Sequence, residues 1–230
     1  MKKLLGIMKK AIGIIILGLF WCNVVYALPE CKGEDYSKWT NCVGTYTNDE
    51  GRKYTGEFGN DPGMRHGKGI SITKNGGKYI GTFKNDKADG RGTAISSKGV
   101  KYVGQFKDGK FHGRGTFLIP EIKSKYDGQW KDGKQHGYGR DITEGESKYA
   151  GYWKDGKQHG RRTFILYESK AKYIGQWKDG QISKGTLITP EAKYVGEFKD
   201  YLGHGQGTAT YTDGRVEKGI WENGKLVKEQ

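Results

Sequence analysis

The sequence predicts an all-β chain: an elongated, single-layer antiparallel solenoid of β-hairpins preceded by an N-terminal signal helix. Three observations carry this. The block Tyr126–Gly139, which reads YDGQWKDGKQHGYG, is restated along the chain, and its leading tyrosines fall at Tyr54, Tyr79, Tyr102, Tyr126, Tyr149, Tyr173 and Tyr194. A recurring period of this size marks an array whose units contact only their neighbours. The 230 residues include 39 Gly and 15 Tyr, and only 34% are hydrophobic. Glycine is costly inside helices, and aromatic residues this regular are not the signature of disorder. Finally, Asp108-Gly109, Asp132-Gly133, Asp155-Gly156 and Asp179-Gly180 recur at one place in the block. Asp-Gly is among the strongest short signals for a hairpin turn.

In chain order, residues 1–27 come first. Lys2, Lys3, Lys9 and Lys10 precede the apolar run 11–21, with Val25 and Ala27 as small residues before a cut. This is the pattern of a secretory signal peptide cleaved after Ala27. The rival is an uncleaved anchor, for which the run is short and Asn23 is an interruption. Export to the periplasm or outside the cell follows from the first reading. Removing the leader leaves Cys31 and Cys42, and an even cysteine count in an exported chain implies one disulfide. Residues 28–53 then form a disulfide-linked cap ending in a half-repeat, Cys42-Val-Gly-Thr-Tyr-Thr47.

Residues 54–216 hold seven units. Within one, Tyr102, Gly104 and Phe106 alternate, so a strand places them on one face, with Lys101, Val103 and Gln105 on the other. After Asp108-Gly109 the chain returns through Gly113-Arg-Gly115-Thr-Phe117, and a second turn closes the unit. Two glycines per strand call for close approach by another group. Aromatic rings laid over the glycines of the adjacent strand supply one and bury themselves in a sheet with no second layer. Residues 217–230 lack the leading Tyr and read as a C-terminal cap.

The pattern Tyr-x-Gly-x-Trp/Phe-x-x-Gly-x-x-His-Gly-x-Gly, met throughout at Tyr102–Gly115 and Tyr126–Gly139, resembles the MORN (membrane occupation and recognition nexus) repeat, in an exported bacterial form. The resemblance implies a non-enzymatic binding scaffold whose sheet engages helices or peptides, with some members associating with membranes. Departures are informative: Asn60–Gly63 is an inserted turn, Asp89 replaces the usual His, Arg162 replaces a final Gly, and the His-Gly pair is lost at Ser183-Lys184. A locally irregular sheet is expected over residues 181–185.

No catalytic constellation, cofactor motif or metal site emerges. His66, His112, His136, His159 and His204 recur, but equivalent positions two strands apart are about 9.5 Å from one another, far beyond shared ligation of one ion. Each ring is expected to bond its own hairpin's backbone. Two surfaces remain. Tyr102, Phe106, Tyr126, Trp130, Tyr149, Trp153, Tyr173 and Trp177 form an aromatic face, read either as the array's own core or as a groove for a protein or peptide partner. Lys53, Lys78, Lys101, Lys125, Lys148, Lys172 and Lys193 each precede a leading Tyr. With a net charge of +14, this column fits an anionic membrane or envelope polymer. Lysine as protection of an open sheet is the bland reading. Nucleic acid does not suit an exported chain.

Overall fold

The computed structural model describes residues 27–230; the expected signal helix, and all of the expected leader but Ala27, fall outside them. The described residues form seventeen strands in one sheet, each antiparallel to the next in sequence. Strand β1 (Cys42–Thr47) precedes the hairpins β2 (Lys53–Phe58) with β3 (Arg65–Ile72), β4 (Lys78–Lys84) with β5 (Lys87–Ile95), and β6 (Lys101–Lys107) with β7 (Lys110–Ile119). There follow β8 (Ser124–Lys131) with β9 (Lys134–Thr143), β10 (Ser147–Lys154) with β11 (Lys157–Leu166), and β12 (Ala171–Lys178) with β13 (Gln181–Ile188). Strands β14 (Ala192–Lys199) with β15 (Leu202–Tyr211), and β16 (Val216–Glu222) with β17 (Lys225–Glu229), complete the chain.

One hairpin explains the rest. At its tip Asp108 (φ 49°) and Gly109 (φ 79°) are both left-handed, the requirement of a type I′ turn, whose twist matches that of paired strands. The Gly109 N–H donates to Ala88 O of the preceding hairpin at 2.8 Å, so each turn also stitches two units together. On the return strand Gly115 pairs with Gly104, yet His112 pairs with Gln105. The surplus residues form a bulge in which Gly113 takes φ 60°, and that conformation is the reason for glycine after the histidine.

The paired glycines serve a different purpose. A Cβ on Gly128 would lie 2.5 Å from Tyr126 Oη and 2.6 Å from Gly139 Cα, because the Tyr126 ring lies across its own hairpin's glycine pair. Gly69, Gly92, Gly115 and Gly207 are covered in the same way by Tyr54, Tyr79, Tyr102 and Tyr194. The Tyr126 hydroxyl then donates to Gln129 O at 3.0 Å, at the bulge. Five other leading tyrosines make the same bond three residues on. The roof is therefore built within a hairpin, and contacts between hairpins fall to the fifth-position aromatics. Tyr102 meets Phe106 of its own unit edge-on at 5.0 Å and Trp130 of the next at 5.4 Å. Tyr126 does the same with Trp130 and Trp153. A zigzag of perpendicular rings thus runs along the sheet, and such pairs add about 1 kcal/mol each beyond their buried area.

At the N-terminus Cys31 and Cys42 form the disulfide. The segment it ties down lies along the free edge of β1, where Val43 N–H donates to Pro29 O at 2.8 Å and Cys31 N–H to Val43 O at 3.0 Å. Trp39 covers Gly44, repeating the ring-over-glycine device with a residue outside the repeats.

The region 181–185 is repaired rather than disordered in register: β13 pairs with β12 and with β14. The missing residue draws Ile182 inward, where it is 1% exposed and its Cδ1 would stand 3.0 Å from a Cβ on Gly175. Displaced from that slot, Tyr173 donates to Tyr201 O at 3.2 Å, and Tyr201 in turn donates to Gly180 O at 3.0 Å. Tyr201 occupies the second turn position at φ 63°, where four units use glycine and the second unit uses Asp86 at φ 65°.

Substituting Gly128→Ala should lower stability by about 2–3 kcal/mol, because the new methyl meets backbone and a buried ring together. Gly133→Ala, a turn position with open space around it, should cost only about 1 kcal/mol through its positive φ. Urea unfolding followed by tryptophan fluorescence separates the two; equal costs would refute the roof.

Candidate functional site

The two faces of the sheet have opposite character. On the first, Tyr102, Phe106, Tyr126, Trp130, Tyr149, Trp153, Tyr173 and Trp177 are all between 1% and 8% exposed. These rings are the core of the array, and their faces are committed to glycines and to one another. What stays half-buried beside them is a flanking set that sequence reasoning did not single out: Phe111, Phe117, Phe164 and Leu187. Asp141 stands in that row, paired across the ladder with both Tyr126 and Tyr149. Burial pushes its carboxyl above the ordinary aspartate value.

The second face carries the lysine column, and the ladder adds what the column alone does not show. Lys53 pairs with Ile72, Ile72 with Lys78, Lys78 with Ile95, and Ile95 with Lys101. The row continues through Leu118, Lys125, Ile142 and Lys148. It ends through Ile165, Lys172, Ile188 and Lys193. Directly opposed residues share a face about 5 Å apart, so seven lysines alternate with six aliphatic side chains in one line. None of these lysines is buried, and none takes part in a salt bridge among the described residues. The alternation is invisible in the linear sequence, because the aliphatic partner sits at a varying distance across each second turn.

Farther along the same strands lies a second basic row, in which Arg91 opposes Gln105 and Arg114 opposes Gln129. The amide side chains act locally, with Gln105 Oε1 accepting the Arg114 N–H and Gln129 Oε1 the Tyr138 N–H, each at 2.9 Å. The histidines depart from expectation. His112 and His136 do not bond their own hairpin backbone through Nδ1; that atom is buried without a hydrogen bond. It faces the turn aspartate of the next unit, Asp132 at 3.7 Å and Asp155 at 3.6 Å, because the bulge rotates the ring toward the neighbouring hairpin tip.

The model of the MORN repeat family matches residues 54–78, 79–101, 102–120, 126–140, 149–161, 173–183 and 194–214. A search of curated proteins finds no match.

Burial holds the tyrosine hydroxyls protonated: Tyr79, Tyr102 and Tyr149 are pushed up to about 12, and Tyr54, Tyr126, Tyr173, Tyr194 and Tyr201 move the same way. The unfolded chain ionises near the ordinary value of about 10. Unfolding therefore releases protons above that pH, and stability falls as pH rises from about 10 through 12. Alkaline titration should show the β-sheet circular dichroism and the tyrosinate absorbance of the core tyrosines changing together in one cooperative step. Tyrosine ionisation complete by about pH 10.5 with the sheet intact would contradict the burial.

Proposed function

This chain belongs to the MORN repeat family, and from that premise we propose that it is a non-enzymatic repeat scaffold docking on an anionic membrane surface through its lysine face. The family supports a repeat scaffold for membrane or protein partners. The observation that carries the finer reading is the unbroken alternation of unpaired lysine with isoleucine or leucine from Lys53 to Lys193. A basic side chain near an anionic leaflet contributes about 1 kcal/mol, and an aliphatic neighbour adds apolar area that reaches the headgroup boundary. The second basic row, with Lys68, Arg91, Arg114 and Arg161, widens the positive field. Export, proposed with this reading, draws support from the composition of the leader and from the paired Cys31 and Cys42; it leads to the outer leaflet or the envelope.

A peptide partner on the aromatic face is the second reading. The eight rings are buried, so its support comes from the half-buried Phe117, Phe164 and Leu187 beside them and from Asp141, a half-buried acid that a basic peptide side chain would complement.

Vesicle co-sedimentation tests the first reading. The chain without its leader should partition onto vesicles containing one third phosphatidylglycerol and not onto pure phosphatidylcholine. Binding should fall more than tenfold between 50 and 300 mM salt, as screening requires. Replacing Lys101, Lys125 and Lys148 with Glu should abolish it. Partitioning that ignores salt and these substitutions, or that is equal on neutral vesicles, would move the function to the aromatic face.

A further inference from the structure

In a repeat array each position is sampled once per unit, so a departure that serves no packing need stands out. Three such departures converge on the exposed face of the fourth and fifth units. Tyr138 stands where the other units carry Lys68, Arg91, Arg114, Arg161, Lys184 or Gln206. Tyr152 stands where they carry Glu57, Thr82, Gln105, Gln129, Gln176 or Glu197. Arg162 stands where they carry the roofed glycine.

Tyr138 and Tyr152 are direct partners across the ladder, their rings 5.9 Å apart and perpendicular. They remain 52% and 50% exposed, so unlike the other ring pairs they bury little. The guanidinium of Arg162 lies 4.4 Å from the Tyr152 ring centroid and 5.5 Å from that of Tyr138, fixing both in place by cation–π attraction.

Two of the departures weaken the local fold. Tyr152 removes the side-chain acceptor that Gln105, Gln129 and Glu197 offer to the bulge N–H of Arg114, Tyr138 and Gln206. Arg162 leaves Gly151, which still pairs with Gly139, without the return-strand partner that Gly104 and Gly128 have, and its Nε is buried with no hydrogen bond. Two destabilising choices meeting an exposed aromatic side chain at one spot mark a site.

Beside Tyr138 opens a shallow depression of about 310 Å³ lined by Arg114, Asp127, Gly128, Gln129, Tyr138 and Arg140. Its only flat apolar surface is the tyrosine ring. Around it stand two guanidinium groups suited to a carboxylate, and an amide and a carboxylate suited to hydroxyl groups. It has no apolar pocket for the anchor side chain of a peptide, and the Asp127 carboxylate opposes a phosphodiester backbone. We propose that Tyr138, Tyr152 and Arg162, with Arg114 and Arg140, form a recognition site for an acidic sugar, a polyhydroxylated ring bearing a carboxylate. The ring stacks on tyrosine while arginine binds the acid. The site is independent of the lysine row and acts on a single saccharide unit rather than on an extended surface.

The test returns the three positions to the repeat, Tyr138→Arg, Tyr152→Gln and Arg162→Gly, in the full chain without its leader. Hexagalacturonate is the probe, followed by titration calorimetry, with poly-L-glutamate and oligothymidylate in parallel. Wild type should bind hexagalacturonate in preference to both other anions. The triple variant, whose net charge is unchanged, should bind it at least tenfold more weakly, while its thermal midpoint stays level or rises. Phosphatidylglycerol binding should be unchanged by the triple variant, so failure of the sugar site and failure of the lysine face read out separately. Undiminished sugar binding by the variant, no binding by wild type, or the same tyrosine dependence for poly-L-glutamate or oligothymidylate would overturn the proposal. A fall in the thermal midpoint would also overturn it, by giving the three residues a structural purpose.

Discussion

Everything in this sheet depends on one contact, a tyrosine ring laid over two paired glycines. A single-layer sheet has no second layer to cover its apolar face, so the rings must be buried by the sheet itself. The absence of a side chain at Gly128 and Gly139 lets the Tyr126 ring sink onto bare backbone. The same geometry brings its hydroxyl to the carbonyl of Gln129 at the bulge. A ring seated this low offers its edge to two aromatics at once, one in its own hairpin and one in the next. Burial of tyrosine within a unit and cohesion between units are therefore one arrangement, and a lone hairpin has only half of it.

That arrangement was legible in the sequence because glycine, tyrosine and Asp-Gly each report a local constraint. The repeat spacing, the alternation and the turn chemistry agree, and agreement across levels is what makes a fold readable. The direction of the roof was less legible: the rings cover their own hairpins, and tryptophan or phenylalanine carries the contact onward. The histidines were misread because a bulge turns the side chain, and no spacing rule announces that rotation. The sixth unit hid more. Loss of one residue near Ser183 announced trouble, but nothing local indicated that Ile182 would take the tyrosine slot. Nor did it show that Tyr201, at a positive φ one hairpin later, would refill the gap.

The division of labour between faces also required the register. With the rings spent on the core, the aromatic face loses most of what made it attractive as a groove. The opposite face gains, since lysines that look like a simple column prove to alternate with isoleucine and leucine. The departures at Tyr138, Tyr152 and Arg162 are scattered over 25 residues of sequence and become neighbours only when strands β9, β10 and β11 are paired. A repeat protein thus hides its individuality where linear comparison is weakest, on the face that the repeat motif leaves free.

The most direct measurement of the central claim is a double-mutant cycle on Tyr126 and Trp153, whose rings meet at 5.3 Å across two hairpins, each replaced by leucine and unfolded in urea. Coupling of about 1 kcal/mol is expected, against none between Tyr126 and Trp177 two hairpins apart. Absence of coupling at Trp153, or equal coupling to both tryptophans, would contradict the account.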